Sequence, residues 1–278
     1  MGSEMCIRDR LTIDTIPAAY ADDATLGLID ARSSTRSFTE GVDITDEQRA
    51  AILHAASRAP SAGAMMMYSI IDVRSQKTRD RLAVLCDNQP MIAKAPWALV
   101  FVVDYAKWID LFEHAGCFTP EFAKRTGKSP RVAPGLGEFA IAAQDAVIAA
   151  QNATIAAEAV GLGSCYIGDI IECQEEVRKL LDLPAYTVPL SMLIIGEPKK
   201  RRPATPHPVC NLVMRERYQR ADAAVLDKQI AEMDAMFRPH ATEPASRVLD
   251  IYTRKHTSDF MVEMCRSMQL WLDNWQGK

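Results

Sequence analysis

Trp97-Ala98-Leu99-Val100-Phe101-Val102-Val103 is a continuous apolar run set between Pro96 and Asp104. It has no polar face at either a helical or an alternating period, which is the pattern of a strand buried on both sides. Val188 to Ile195, closed by Gly196-Glu197-Pro198, is a second such strand, and Tyr68 to Val73 a third. Helical patterns stand around them. One runs from Asp22 to Ala31, and another opens at Thr45 with Gln48 three residues on, the capping-box spacing, and stops at Ala59-Pro60. Arg79 to Cys86 also reads as helix. Glu138 to Val160 is the longest, with ten alanines in 23 residues and a polar seam of Gln144, Asp145, Gln151, Asn152 and Glu158. That seam suits burial between helices, either across a subunit boundary or in a plain core. Ser258 to Trp275 puts Phe260, Met264, Met268 and Trp271 on one face, so this helix must dock on something.

Composition narrows the function. The chain has 278 residues, 48% hydrophobic and 24% charged, as in ordinary globular proteins. Lys plus Arg total 32 against 36 Asp plus Glu, a net charge of -4 that argues against general nucleic-acid binding. No apolar run is long enough to cross a bilayer. Seven cysteines without CxxC or Cys/His ligand spacing indicate neither a disulfide scaffold nor a metal cluster, and the expected location is cytoplasmic. The opening MGSEMCIRDR lacks the apolar stretch of a signal peptide. Residues 1–20 are expected to be non-native or disordered.

Five stretches can carry chemistry. Arg32-Ser33-Ser34-Thr35-Arg36 offers two guanidiniums and three hydroxyls, suited to a phosphate, though a solvated loop has the same composition. Pro60-Ser61-Ala62-Gly63-Ala64, followed by three methionines, could seat a flat aromatic ligand or simply fill the core. Cys86-Asp87-Asn88-Gln89 places two amides at a helix end, to read a heterocycle or to cap the helix. Gly161-Leu162-Gly163 turns the long helix into a short strand ending at Ile167-Gly168, where backbone can approach a ligand. Lys199-Lys200-Arg201-Arg202 leaves the last strand, either solvated or closing over a phosphate. Gly135-Leu136-Gly137-Glu138-Phe139-Ala140 matches GxGxxA, but no strand precedes it, so a dinucleotide fingerprint is rejected. Residues 112–136, rich in Gly and Pro, are expected to form an irregular, mobile lid that sets specificity.

In this order the pieces resemble the nitroreductase family of FMN-dependent oxidoreductases. Its Arg-x-Ser-x-Arg/Lys-x-Phe pattern stands here as Arg32 to Phe38, and the Pro-Ser turn, the Ala-rich helix, Gly-Leu-Gly, Ile-Gly and Gly-x-Pro follow in register over residues 25–218. The resemblance implies an α+β fold, a central mixed sheet flanked by helices in an intertwined homodimer with FMN at the interface. Arg32 and Ser34, with Ser33 beside them, would hold the FMN phosphate. Arg36 would reach N1 and O2 of the ring, and Asn88 the same edge. Pro60, Ser61, Ala62 and Ala64 would line the ring, and Ile167 and Gly168 would present backbone near N5. Arg201, Arg202 or His207 would supply a further phosphate cation. The family's Asn and Gln after Pro-Ser are Ala64 and Met66 here, and its Trp is Tyr68, so two polar ring contacts are missing.

The activity implied is hydride transfer from NADH or NADPH through flavin N5 to a nitroaromatic, quinone or activated alkene. No catalytic side chain is needed, and no metal. Reductive dehalogenation, flavin breakdown and non-catalytic FMN binding are the alternatives. The expected organisation is an FMN-binding domain over 21–218 and a helical extension over 219–278.

Overall fold

The computed structural model describes residues 15–204 and 212–278, so His207, Cys6 and Cys210 lie outside the described residues. The chain forms two compact units. One comprises the chain up to Arg32 together with Pro203–Ser258; the other comprises Ser33–Arg202 and Asp259–Lys278.

The smaller unit holds helices α1 (Ala24–Ala31), α9 (Ala223–Phe237) and α10 (Ser246–Ile251). Asp23 caps α1 by accepting the Thr25 and Leu26 N–H groups. Asp250 gathers Arg238, Arg247 and Arg254 around one carboxylate.

The larger unit is built on strands β1 (Tyr68–Val73), β2 (Trp97–Asp104), β3 (Gly163–Ile167) and β4 (Thr187–Gly196). Their order is β1-β2-β4-β3, which puts the apolar run from Trp97 in the interior, buried along its whole length to Val103. Every pairing is antiparallel. The mixed sheet implied by the resemblance is thus corrected for the single chain. Each connection after β1 carries at least one helix and is long enough to return in either direction, so strand polarity is not fixed locally.

Helix α2 (Asp46–Ser57) starts at the expected capping box, with Gln48 N–H donating to Thr45 Oγ1 at 3.2 Å and Thr45 N–H donating to Gln48 Oε1 at 3.0 Å. Helices α3 (Gln76–Leu85) and α4 (Pro90–Lys94) join β1 to β2. The long helix α7 (Leu136–Ala159) packs on α2 and the sheet, with Ala142, Ala146, Ala149, Ala150, Ala153 and Ala157 fully buried. Its polar seam is answered inside the chain. Asn152 donates to the Ala55 carbonyl at 3.0 Å, Gln151 accepts from Tyr166 at 3.3 Å, and Glu158 pairs with Arg201 at 2.7 Å.

The 112–136 stretch is more regular than its Gly and Pro content suggests. It contains the end of α5 (Ala106–His114) and the short helix α6 (Pro120–Thr126). Thr119 caps α6 through the Phe122 N–H, Pro120 occupies its first turn, and Gly127 ends it with a left-handed φ of 67°. Here Pro and Gly delimit a helix instead of denying one.

The last helix, α11 (Asp259–Trp275), follows α8 (Gln174–Leu180) and β4 in the larger unit and docks on its own chain. Its buried line is Ser267, Trp271, Asn274 and Trp275; Phe260, Met264 and Met268 are only half-buried. Trp271 Nε1 donates to the Ile171 carbonyl at 2.9 Å and Trp275 Nε1 to the Gly135 carbonyl at 3.0 Å. The ring N–H groups thus remain satisfied as the indoles are buried.

Candidate functional site

The segment after Arg32 runs extended across the ends of β3 and β4. Thr35 N–H donates to the Ser164 carbonyl at 2.9 Å, Thr39 N–H to Glu197 at 2.9 Å, and Lys199 N–H returns to Ser37 at 3.0 Å. Ser33 Oγ donates to the Arg202 carbonyl at 3.0 Å. Two glycines, paired with each other across the sheet, make room for this crossing. A Cβ on Gly163 would stand 2.3 Å from Thr35 Oγ1, and one on Gly196 would stand 2.7 Å from Phe38 Cδ1. The Gly-Leu-Gly turn and the Gly-x-Pro strand end therefore serve one purpose, to seat the hydroxyl-rich motif.

What the motif leaves available is telling. Arg36 is exposed, and among the described residues it forms no ion pair; Ser164 Oγ is buried without a partner. Arg201 is committed elsewhere: its guanidinium bonds Glu158 at 2.7 Å and the Gly161 carbonyl at 3.0 Å, tying the end of α7. Arg202 carries no such bond among the described residues and shares its backbone with Ser33. Arg32 belongs to the smaller unit, where its N–H closes α1 on Leu28 at 3.1 Å.

The Pro60–Met67 turn is organised by a residue that motif reading left in the polar seam. Asp145, buried on α7, accepts the Ala62 N–H at 3.0 Å and the Met67 N–H at 3.2 Å. Ser61 Oγ accepts the Met66 N–H at 3.0 Å, and Trp108 Nε1 donates to the Met65 carbonyl at 2.9 Å. Gly63, Ala64 and Met66 all have positive φ, at 59°, 56° and 49°. For Ala64 and Met66 that conformation carries a steric cost, about 1–2 kcal/mol each. Asn tolerates it better, which makes the loss of Asn at position 64 a conformational departure as well as a chemical one.

A third group gathers at the far end of β3. Asp87 and Asn88 take left-handed φ values of 55° and 51°, which turns Gln89 back so that its N–H bonds Ala83 at 2.8 Å. Gln89, not Asn88, makes the tertiary contact, a side-chain hydrogen bond to Asp169. Asn88 itself is exposed. A Cβ on Gly168 would meet nothing within 4 Å, so its neighbourhood is open. Below it Glu172 is buried with Oε2 unpartnered. Burial first, then the charges of Asp169, Asp87 and Glu263, push its pKa up to about 7.

These groups are not all adjacent in one chain. Ser33 to Arg36 sits at the start of β3 and Gly168 just past its end, about 15 Å apart along the strand. The 60–67 turn hangs from α7 at Asp145, about 20 Å along the helix from the Glu158–Arg201 pair.

Residues 29–197 match the sequence profile of the Nitroreductase family. The chain belongs to that family. The chain is 32% identical over 212 residues, 75% of its length and 81% of the relative's, to the oxygen-insensitive NADPH nitroreductase of Salmonella typhimurium strain LT2. A hypothetical oxidoreductase from Bacillus subtilis superposes with a TM-score of 0.74 at 26% identity, covering 89% of the present chain and 96% of that one. The NADPH:FMN oxidoreductase of Vibrio harveyi, solved with NAD+, gives 0.65 at 28% identity over 82% and 96%. Among the described residues there is no group of side chains arranged to hold a metal ion, and no helix long and apolar enough to cross a membrane.

Proposed function

We propose that this family member is an FMN-dependent oxidoreductase that draws hydride from NAD(P)H and reduces flat, electron-poor acceptors such as nitroaromatics, quinones or activated alkenes. The observation that supports the reading is the seating of Thr35 against Gly163, which holds the hydroxyl-rich motif on the sheet end while Arg36 stays exposed. FMN, when bound, supplies a ring that accepts and returns electrons at N5. The chain's part is to bind and orient. Ser33, Ser34 and Arg202 would hold the phosphate. Arg36 and Asn88 would face the ring's N1–O2 edge, the Pro60–Ala64 turn its flank, and Ile167 and Gly168 would offer backbone near N5. Arg201, bound to Glu158, supports α7 in this reading.

A second copy of the chain completes it. Leu136, Ile141, Val147 and Ile148 leave an apolar face of α7 exposed, 38–53% each. Covering it in a homodimer would also bring a second 60–67 turn to the site, which the separation along α7 requires. A cytoplasmic setting suits a thiol as exposed as that of Cys265. Purified protein is expected to be yellow with about one FMN per chain, and anaerobic NADPH or NADH should bleach it. Protein that takes up no FMN on titration overturns the proposal.

A further inference from the structure

A second cavity, about 890 Å3, opens where the Thr39–Ile44 loop, the starts of α2 and α3, and Lys94–Pro96 meet. It shares no residue with the proposed flavin site, and α2 leads away from it for about 18 Å before the chain reaches Pro60.

Its floor is positively charged. Arg49 and Arg79 both line it and are 8% and 7% exposed. Arg49 donates through Nη2 to Asp43 at 3.0 Å and through Nε to the Ile44 carbonyl at 3.3 Å, with its guanidinium 4.8 Å over the Trp97 ring. Its Nη1 is buried with no acceptor. Arg79 donates to the Arg74 carbonyl and to Gln76 Oε1, both at 2.7 Å, while its Nε is buried with no acceptor. No carboxylate pairs with Arg79 among the described residues. Burial, with the charge of Arg49 adding to it, draws the Arg79 pKa below its ordinary value despite Asp80 and Asp43.

Buried guanidiniums are ordinarily paired, because an uncompensated charge in the interior is costly. Carboxylates do line this cavity, but Glu40, Asp43 and Asp46 are all exposed, and the Asp43 side chain is 85% exposed. Solvent screens them, so they answer the floor weakly. Lys94 adds positive charge at the mouth, where Arg74 is already paired with Asp72 at 2.7 Å. The first turns of α2 and α3 also open here, with 12 and 10 residues of aligned peptide dipoles behind them.

We propose that this cavity binds a phosphate-bearing small molecule, its oxyanion held by Arg79 and Arg49 at the floor and by Lys94 at the mouth. Both lining arginines carry planar guanidiniums, whose forked donors match phosphate oxygens. The cavity is of ligand size, and Val42, Ile44 and Pro96 give an organic group apolar walls. Free phosphate and the phosphate of a nucleotide share this chemistry.

Calorimetric titration of the FMN-loaded protein with inorganic phosphate, and separately with 5′-AMP, at constant ionic strength tests it. Saturable binding with a Kd of about 1 mM or tighter is expected for at least one probe. Preference for AMP assigns a nucleotide, and equal affinity assigns the free anion. Arg79→Gln should weaken binding roughly 10-fold or more, and Lys94→Gln several-fold, with FMN content unchanged in both. If Arg79→Gln fails to fold, Lys94→Gln decides. Absence of saturable binding, affinity indifferent to both substitutions, or loss of FMN from the Lys94 variant would each overturn the proposal.

Discussion

The motif at 33–39 and the turn at 60–67 both offer backbone and short side chains to a ligand, yet they are held in opposite ways. The motif is fixed by backbone hydrogen bonds to Ser164, Glu197 and Lys199, spread over two strand ends, with glycines where it crosses. The turn depends on one buried carboxylate, Asp145, and keeps two non-glycine residues at positive φ. Distributed support tolerates side-chain changes and fails where a Cβ intrudes. Concentrated support fails with a single residue.

The largest effect is therefore expected at Asp145. Asp145→Ala removes two charge-assisted hydrogen bonds to the turn backbone, one buried at Met67 and one part-buried at Ala62, about 3–5 kcal/mol in all. Urea denaturation should show that loss, and a Tm near wild type would mean the turn is held by something else. Gly163→Ala probes the other region. Thr35 must move to admit the methyl group, at about 1–3 kcal/mol, and FMN affinity should drop at least 10-fold. Thr35→Gly in the same chain should recover part of it; equal FMN affinity in all three proteins would uncouple the glycine from the motif.

Glu172 lies between the two regions in expected size. Its folded pKa of about 7 exceeds the ordinary 4.5, so the folded state binds more protons between those values. The stability from the protonated acid is complete below about pH 4.5 and disappears as pH rises through 7. Glu172→Gln should flatten this decline and stabilise the protein at pH 8 by roughly 1–3 kcal/mol. Identical stability–pH profiles for the two proteins would remove the buried acid from the account. The smallest effect is a gain. Ala64→Gly or Ala64→Asn relieves a left-handed alanine and should add about 1 kcal/mol. The Asn variant alone should also tighten FMN, which separates the conformational role of position 64 from its chemical one.

Much of the frame was readable from local pattern. The apolar run from Trp97 is interior because no residue in it can face water, and Thr45 with Gln48 marks a helix start through bonds three residues apart. Gly161 was readable as the residue that ends the long helix, and it does so with a φ of 85°; what lies against Gly163 was not readable. Asp145 escaped because its partners lie 78 and 83 positions away and nothing near it in sequence signals a bond. The Pro120 helix was misread because a proline at a first helical turn and one in a loop look alike without the Thr119 cap. Strand polarity and the charged floor at Arg49 and Arg79 belong to the tertiary arrangement alone.

The burial of Trp271 and Trp275 has a consequence for how the protein is made. These indoles close over Ile171 and Gly135, but the ribosome adds them only after the whole of the intervening 203–258 segment. At ordinary elongation rates they follow β4 by about 4–16 s. Throughout that interval the nascent larger unit carries an uncapped apolar surface beside a finished sheet. Holding or shielding that surface during translation, not the speed of sheet formation, should set the yield of native protein.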